Sequence, residues 1–271
     1  MKKFAVIGSP IHHSISPKIH SEFAKSFRLK ITYEAIEVKK SSFPEQIKKL
    51  FEDNYDGLNV TLPLKELAYH YADKVSERGK VSGAVNTLWK TDKKIFADTT
   101  DGKGFIEDLN NNLISLKNAS ILIVGAGGSV KSILPDIIDK KPKEVTIINR
   151  TQKKIKPLVE LFKESKTVIR TSNLQKRIKT NFDGIINASS AGLLGDEIRL
   201  PEGIFNSVKW AYDLTYSKEI TKFNSLAKEN GVFNCMDGLG MLINQASLSF
   251  EIWTGLKPDS KNFINLIRSS L

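Results

Sequence analysis

The chain has 271 residues, 40% hydrophobic and 26% charged, a balance that excludes a largely disordered protein and a length that accommodates two modest domains or one large one. The formal net charge is +11. The lysines are spread in pairs along the whole chain (Lys2-Lys3, Lys39-Lys40, Lys48-Lys49, Lys93-Lys94, Lys140-Lys141), which is the pattern of solvated faces and argues against a nucleic-acid partner.

Phe4-Ala5-Val6-Ile7-Gly8 is a short apolar run closed by a turn and predicts a buried strand. Pro17 opens a helix with Ser16 as its cap, and Ile19, Phe23 and Phe27 give that helix one apolar face. A strand over 32–38, a helix over 44–51 and a strand over 57–61, stopped by Pro63, follow. This alternation predicts a largely parallel sheet. A helix-like stretch around 103–118 ends in Asn110-Asn111-Asn112, and a domain boundary is placed there. A second alternation then begins: strands at 121–124, 145–148, 184–187 and 210–214, with helices at 129–138, 153–162 and 218–230. That is the order of a doubly wound nucleotide-binding domain. Residues 238–271 read as two helices.

One cysteine, Cys235, excludes an internal disulfide and a multi-cysteine metal site. His12, His13, His20 and His70 lack metal-ligand spacing with carboxylates, so no metal is expected. The first apolar run is cut at Gly8-Ser9-Pro10, too early for a signal-peptide core, and no stretch reaches transmembrane length. A cytoplasmic protein without a membrane partner is expected.

Gly125-Ala126-Gly127-Gly128 follows an apolar strand and opens a helix. Gly125 permits the tight turn, Gly127 lets the backbone approach a pyrophosphate, and the free N–H groups of the helix start favour its charge. Val130 stands where the third glycine of the usual fingerprint would be. A dinucleotide and a plain strand-to-helix turn both fit the glycines alone. The next strand ends in Asn149-Arg150-Thr151 with Lys153 and Lys154 beyond, whereas Glu144, the acid at NAD-like distance, starts that strand. A guanidinium takes a 2′-phosphate bidentately, which favours NADP over NAD.

Four polar segments mark the first half. Ser14-Ile15-Ser16-Pro17 puts two hydroxyls beside a helix start, where they could hold a carboxylate or merely cap. Asn59-Val60-Thr61-Leu62-Pro63-Leu64-Lys65 places Asn59 and Thr61 on one side of a strand, with Lys65 at its carboxyl end. Gly83-Ala84-Val85-Asn86-Thr87 leads into a strand, and Asp98-Thr99-Thr100-Asp101-Gly102 reads as a turn.

Together these segments resemble the shikimate dehydrogenase family. The match continues through Asn187-Ala188-Ser189-Ser190-Ala191-Gly192, Asp237-Gly238-Leu239-Gly240-Met241-Leu242 and Gln245. The resemblance implies two α/β domains: an N-terminal catalytic domain with a mostly parallel sheet, from 1–102 and 236–271, and a Rossmann-type NADP(H)-binding domain over 103–235. It implies NADPH-dependent reduction of 3-dehydroshikimate to shikimate, with an NAD-using quinate/shikimate dehydrogenase as the alternative, in a monomer or homodimer. Lys65 and Asp101 would be the catalytic pair and also touch the substrate. Ser14 and Ser16 would hold its carboxylate, and Thr61, Asn86, Tyr216 and Gln245 its hydroxyls and ring. The cofactor would meet Gly125, Ala126, Gly127, Gly128, Ser129, Asn149, Arg150, Thr151, Lys154, Ser189, Leu214, Gly238 and Met241.

Four positions depart from the family's commoner residues. Thr99 stands for Asn, Ser189 for Thr, and Lys153 and Lys154 for a second arginine; a lysine lacks the bidentate fork. Ketone reduction needs a hydride on carbon and a proton on oxygen. Lys65 is the candidate proton donor and Asp101 the group that orients it.

Overall fold

The computed structural model describes residues 1–151, 153, 155–172, 178, 181–189 and 200–271. In chain order its elements are β1 (Lys2–Gly8), α1 (Ser16–Ser26), β2 (Ile31–Glu37), α2 (Phe43–Glu52), β3 (Gly57–Val60), α3 (Lys65–Tyr71), β4 (Lys74–Val75), α4 (Glu77–Ser82), β5 (Thr87–Thr91), β6 (Lys94–Asp98), α5 (Asp101–Asn111), β7 (Ser120–Val124), α6 (Gly128–Asp139), β8 (Glu144–Ile148), α7 (Lys156–Leu161), β9 (Val168–Ser172), β10 (Gly184–Asn187), β11 (Trp210–Asp213), α8 (Lys222–Glu229), β12 (Asn234–Asp237), α9 (Leu239–Thr254) and α10 (Lys261–Arg268). The chain divides into two compact units, Met1–Phe105 with Leu242–Ile267, and Ile106–Met241 with Arg268–Leu271.

The first unit holds a six-stranded sheet of order β2-β1-β3-β5-β6-β4. Strand β1 is paired in parallel on both sides, with β2 and β3, which is why Phe4 to Ile7 is an unbroken apolar run. Strand β4 pairs with β6 in parallel, whereas β5 meets both β3 and β6 antiparallel. The sheet is therefore mostly parallel, as expected, with an antiparallel insert. Its core joins Ala5, Ile7, Leu58, Val60 and Leu88 to Phe43, Ile47 and Phe51 of α2. The indole of Trp253 in α9 stacks on Phe4 at 4.7 Å and donates to Leu88 O at 3.2 Å, so the last part of the chain closes the sheet built by the first.

The second unit holds a sheet of order β12-β11-β10-β7-β8-β9, every pairing parallel. Read from its far edge this is the doubly wound order of nucleotide-binding sheets, in which ligands gather beyond the carboxyl ends of the strands. Leu122, Val124, Ile148, Ile185 and Ala211 pack against Phe205 and Phe223 in its core.

Several local expectations are corrected. Ser16 is not the cap of α1 but its first residue; Ile15 stands at the cap position and contributes no side-chain bond. The reason is Ser14, whose Oγ accepts the Ser16 N–H at 3.3 Å and covers that amide from upstream. Asp98 to Gly102 is not a plain turn: Asp98 ends β6 and Asp101 starts α5. Asp98 is held there by the Arg78 guanidinium, the Ser76 hydroxyl and the Thr99 N–H. Helix α8 starts at Lys222 rather than 218, because the Thr221 hydroxyl caps it by accepting the Asn224 N–H at 3.3 Å. Strands β9 and β12 were not anticipated; both are sheet edges and lack an apolar run.

Candidate active site

In the first unit, four side chains from distant elements converge. The turn after β3 is closed by the Leu64 N–H donating to Thr61 O at 2.9 Å, and it delivers Lys65 as the first residue of α3. Lys65 Nζ donates to Asp101 Oδ2 at 2.6 Å, with the two side chains only 15% and 7% exposed. Asn86 Nδ2 lies 3.0 Å from the other Asp101 oxygen, 3.0 Å from Gln245 Oε1 and 2.9 Å from Thr100 Oγ1. Asn86 Oδ1 accepts the Thr100 N–H at 2.8 Å. Asn86 therefore fixes the carboxylate that holds the lysine, and Gln245 is fixed beside it.

This cluster runs on to the serine pair. Asn59 Nδ2 donates to Asn86 O at 3.1 Å and to Ser249 Oγ at 3.0 Å, while Asn59 Oδ1 accepts the Tyr33 hydroxyl at 2.7 Å. Ser16 hydrogen-bonds Tyr33, whose hydroxyl pKa burial raises well above the usual value. Ser14, Ser16, Lys65, Asn86, Asp101 and Gln245 thus share one hydrogen-bonded network. Thr61 follows β3 directly, half-buried, its N–H on Ile7 O at 2.9 Å. Tyr216 is not in this network: it belongs to the second unit, in the loop after β11, where burial raises its hydroxyl pKa.

Tyr33, Asn59, Thr100 and Ser249 were not singled out as site residues. Asn59 carried a signal, being polar between Leu58 and Val60 in a buried strand, and so did Ser249, a buried hydroxyl in an apolar helix. Tyr33 carried none.

In the second unit the glycine loop lies between β7 and α6. Gly125 has φ +118°, and a Cβ there would come within 2.8 Å of Ala188 O, so no other residue fits. Ala126 is buried, Gly127 exposed, Gly128 opens α6 and Ser129 is half-buried. Nothing lies within 4 Å of where a Gly127 Cβ would sit, so the backbone is open to a ligand. The buried Val130 packs inward where a third glycine would have been. Beyond β8, Asn149 Nδ2 donates to Thr151 O at 2.9 Å, and Arg150, Thr151 and Lys153 are exposed. Lys154 and Ser190, Ala191 and Gly192 lie outside the described residues. Asn187 Oδ1 accepts both the Ser189 N–H at 3.2 Å and its hydroxyl at 2.7 Å. Leu214 N–H donates to Asn187 O at 2.9 Å, and Gly238 N–H to Thr215 O at 2.8 Å. The loop after β7, Ser189, Leu214, Gly238 and Met241 all lie just beyond the carboxyl ends of parallel strands, where this architecture binds ligands. Among the described residues, no group of three or more His, Cys, Asp or Glu could hold a metal, and no helix is long and apolar enough to cross a membrane.

The shikimate dehydrogenase substrate binding domain matches residues 6–88, shikimate / quinate 5-dehydrogenase matches residues 108–195, and the shikimate 5'-dehydrogenase C-terminal domain matches residues 238–268. Shikimate dehydrogenase (NADP(+)) of Vibrio campbellii is 40% identical over 270 residues, 99% of this chain and 97% of that protein. Its namesake in Psychromonas ingrahamii is 40% identical, covering 100% and 99%. The crystal structure of shikimate 5-dehydrogenase from Thermus thermophilus in complex with NADP(H) and shikimate superimposes with a TM-score of 0.89 at 34% identity, over 100% of both chains. With a Lys–Asp pair set in a buried amide network in one unit and a glycine loop at a parallel sheet's switch point in the other, the chain belongs to the shikimate dehydrogenase family.

Proposed function

We propose that this chain catalyses the NADPH-dependent, reversible reduction of 3-dehydroshikimate to shikimate, a step of aromatic amino acid biosynthesis. The observation that carries this is the 2.6 Å Lys65–Asp101 contact, held by Asn86 and Gln245. Substrate belongs to the first unit and cofactor to the second.

The residues present fit NADP(H). The open backbone at Gly127 and the start of α6 suit a pyrophosphate. Asn149, Arg150, Thr151 and Lys154 stand in sequence where the adenosine ribose and its 2′-phosphate would be read, with no carboxylate to repel the phosphate. Ser189, Leu214, Gly238 and Met241 would line the nicotinamide end. When bound, NADPH supplies the hydride.

The chain's own residues supply the rest. Ser14 and Ser16 hold the substrate carboxylate by their hydroxyls. Thr61, Asn86 and Gln245 hold its hydroxyls and ring, and each hydroxyl so bound discriminates against analogues lacking it. The Lys65 ammonium donates its proton to the carbonyl oxygen during reduction and recovers it from the alcohol in reverse. Asp101 keeps that ammonium aimed and balances its charge in a poorly solvated place. The enzyme works in the cytoplasm as a monomer or homodimer, without nucleic-acid or membrane partners.

The test crosses shikimate and quinate with NADP⁺ and NAD⁺, following formation of the reduced nicotinamide. Fast reduction with shikimate and NADP⁺ alone is expected; equal rates with NAD⁺ would remove the role given to Arg150.

A further inference from the structure

One buried carboxyl in the second unit is used by nothing above. Asp108 lies in α5, seven residues after Asp101. It accepts the Tyr212 hydroxyl at 2.6 Å, and Tyr212 is fully enclosed at the middle of β11. The same hydroxyl accepts the backbone N–H of Met241. Gly240, the residue before Met241, leaves no room for a side chain: a Cβ there would overlap the Asp108 carboxylate. One tyrosine–carboxyl pair therefore grips two consecutive residues at the start of α9. The other end of the same short segment is gripped separately. Arg268 donates twice to Asp237, both at 2.7 Å, and Asp237 Oδ1 accepts the Leu239 N–H at 3.2 Å.

We propose that Asp108 and Tyr212 are positioning residues for the nicotinamide, acting through the backbone of Gly240 and Met241. The inference rests on the proposed function, which sets Gly238 and Met241 against that ring. A single free hydroxyl would fix only the Met241 amide. The carboxylate behind it fixes the hydroxyl's rotation and, by filling the space beside the Gly240 Cα, the height of the segment as well. Burial pushes the Asp108 pKa up to about 6, so the pair is held at an electrostatic cost that packing alone would not require, since an apolar residue would fill the space without it. The surplus goes into direction: two oxygens with fixed donors orient a loop more sharply than an apolar contact does.

The experiment removes the hydroxyl in Tyr212→Phe and the charge in Asp108→Asn. Melting curves identify folded protein, direct fluorescence titration gives the NADPH affinity, and NADPH deuterated at the transferred position gives the isotope effect on kcat. In Tyr212→Phe we expect NADPH binding weaker by about tenfold, the worth of one lost hydrogen bond to a charged group, with a raised isotope effect and an unchanged KM for shikimate. In Asp108→Asn the amide oxygen still accepts from Tyr212, and a shift of about threefold in the same direction is expected. A folded Tyr212→Phe with wild-type NADPH affinity and isotope effect overturns the proposal. If that variant does not fold, Asp108→Asn with both quantities unchanged overturns it equally. The NADPH titration needs no second substrate, so it reads the positioning even if shikimate fails as substrate in the wild-type assay, an outcome that would sink the proposed function alone.

Discussion

The two six-stranded sheets treat polar groups in opposite ways. In the second unit the four inner strands β7, β8, β10 and β11 are mostly apolar, Thr146 of β8 apart, and the side chains that matter, Asn187 and Asp213, are the last residues of β10 and β11. In the first unit polar residues enter the sheet itself: Asn59 lies inside β3, Thr87 opens β5 and Asp98 ends β6, all buried. The difference matches what each unit is proposed to recognise. A pyrophosphate is bound by backbone N–H groups and a helix start, which any apolar strand–turn–helix can present. A small polyhydroxy acid offers directional groups, so its receptor needs side-chain amides and hydroxyls, and each of these must be satisfied while buried. Asn59, Asn86, Thr87, Thr100 and Ser249 satisfy one another.

The largest expected effect breaks the first unit's chemistry and leaves the second untouched. Lys65→Ala should lower turnover by about 100-fold or more, with NADPH affinity unchanged, in steady-state assays and titration. A loss of only a few-fold would mean that the proton comes from elsewhere. Next, Asn59→Ala strips partners from the Tyr33 hydroxyl, Ser249 and Asn86 O. A stability loss of about 2–3 kcal/mol by denaturant unfolding is expected, with a raised KM for shikimate. Arg150→Ala probes the second unit in return: the KM for NADP⁺ should rise about tenfold, roughly 1.4 kcal/mol, while activity with NAD⁺ stays level.

The remaining effects concern acid, and leave neutral-pH behaviour alone. Burial lowers the pKa of His20 in the first unit to about 3 and raises that of Asp108 in the second to about 6. Below its ordinary pKa His20 takes up a proton in the unfolded chain but not in the folded one, so stability falls as pH drops from about 6.5 toward 3, by about 2 kcal/mol at pH 5. Asp108 works the other way. The folded state binds its proton more tightly, so stability is gained as pH drops from about 6 toward 4. His20→Phe should therefore flatten the acid limb of a pH–stability curve, and Asp108→Asn should steepen it.

The alternation of strands and helices was legible because central parallel strands must be apolar on both faces, and the glycine loop because its backbone geometry admits few residues. Strands β9 and β12 were not, since an edge strand carries neither constraint. The polar network of the first unit was half-legible. Lys65, Asp101, Asn86 and Gln245 stood in recognisable motifs, but the bond from Asn59 to Ser249 joins residues 190 apart in the chain, a pairing no local pattern encodes. Tyr33 and Tyr212 carried no signal, since a buried hydroxyl leaves no periodic trace.

The first unit is built from both ends of the chain, and this bears on the order of its making. By the time a ribosome has added Asp237, all six strands of the second sheet exist. The first sheet is then also synthesised, yet Asn59, Thr87 and Thr100 still lack Ser249, Asn86 lacks Gln245, and Phe4 lacks Trp253. The strands of the middle of the polypeptide are complete while its beginning waits, and the polar network of the first unit is completed only by residues that follow Asp237, so a chain cut short there would lose the partners of that network.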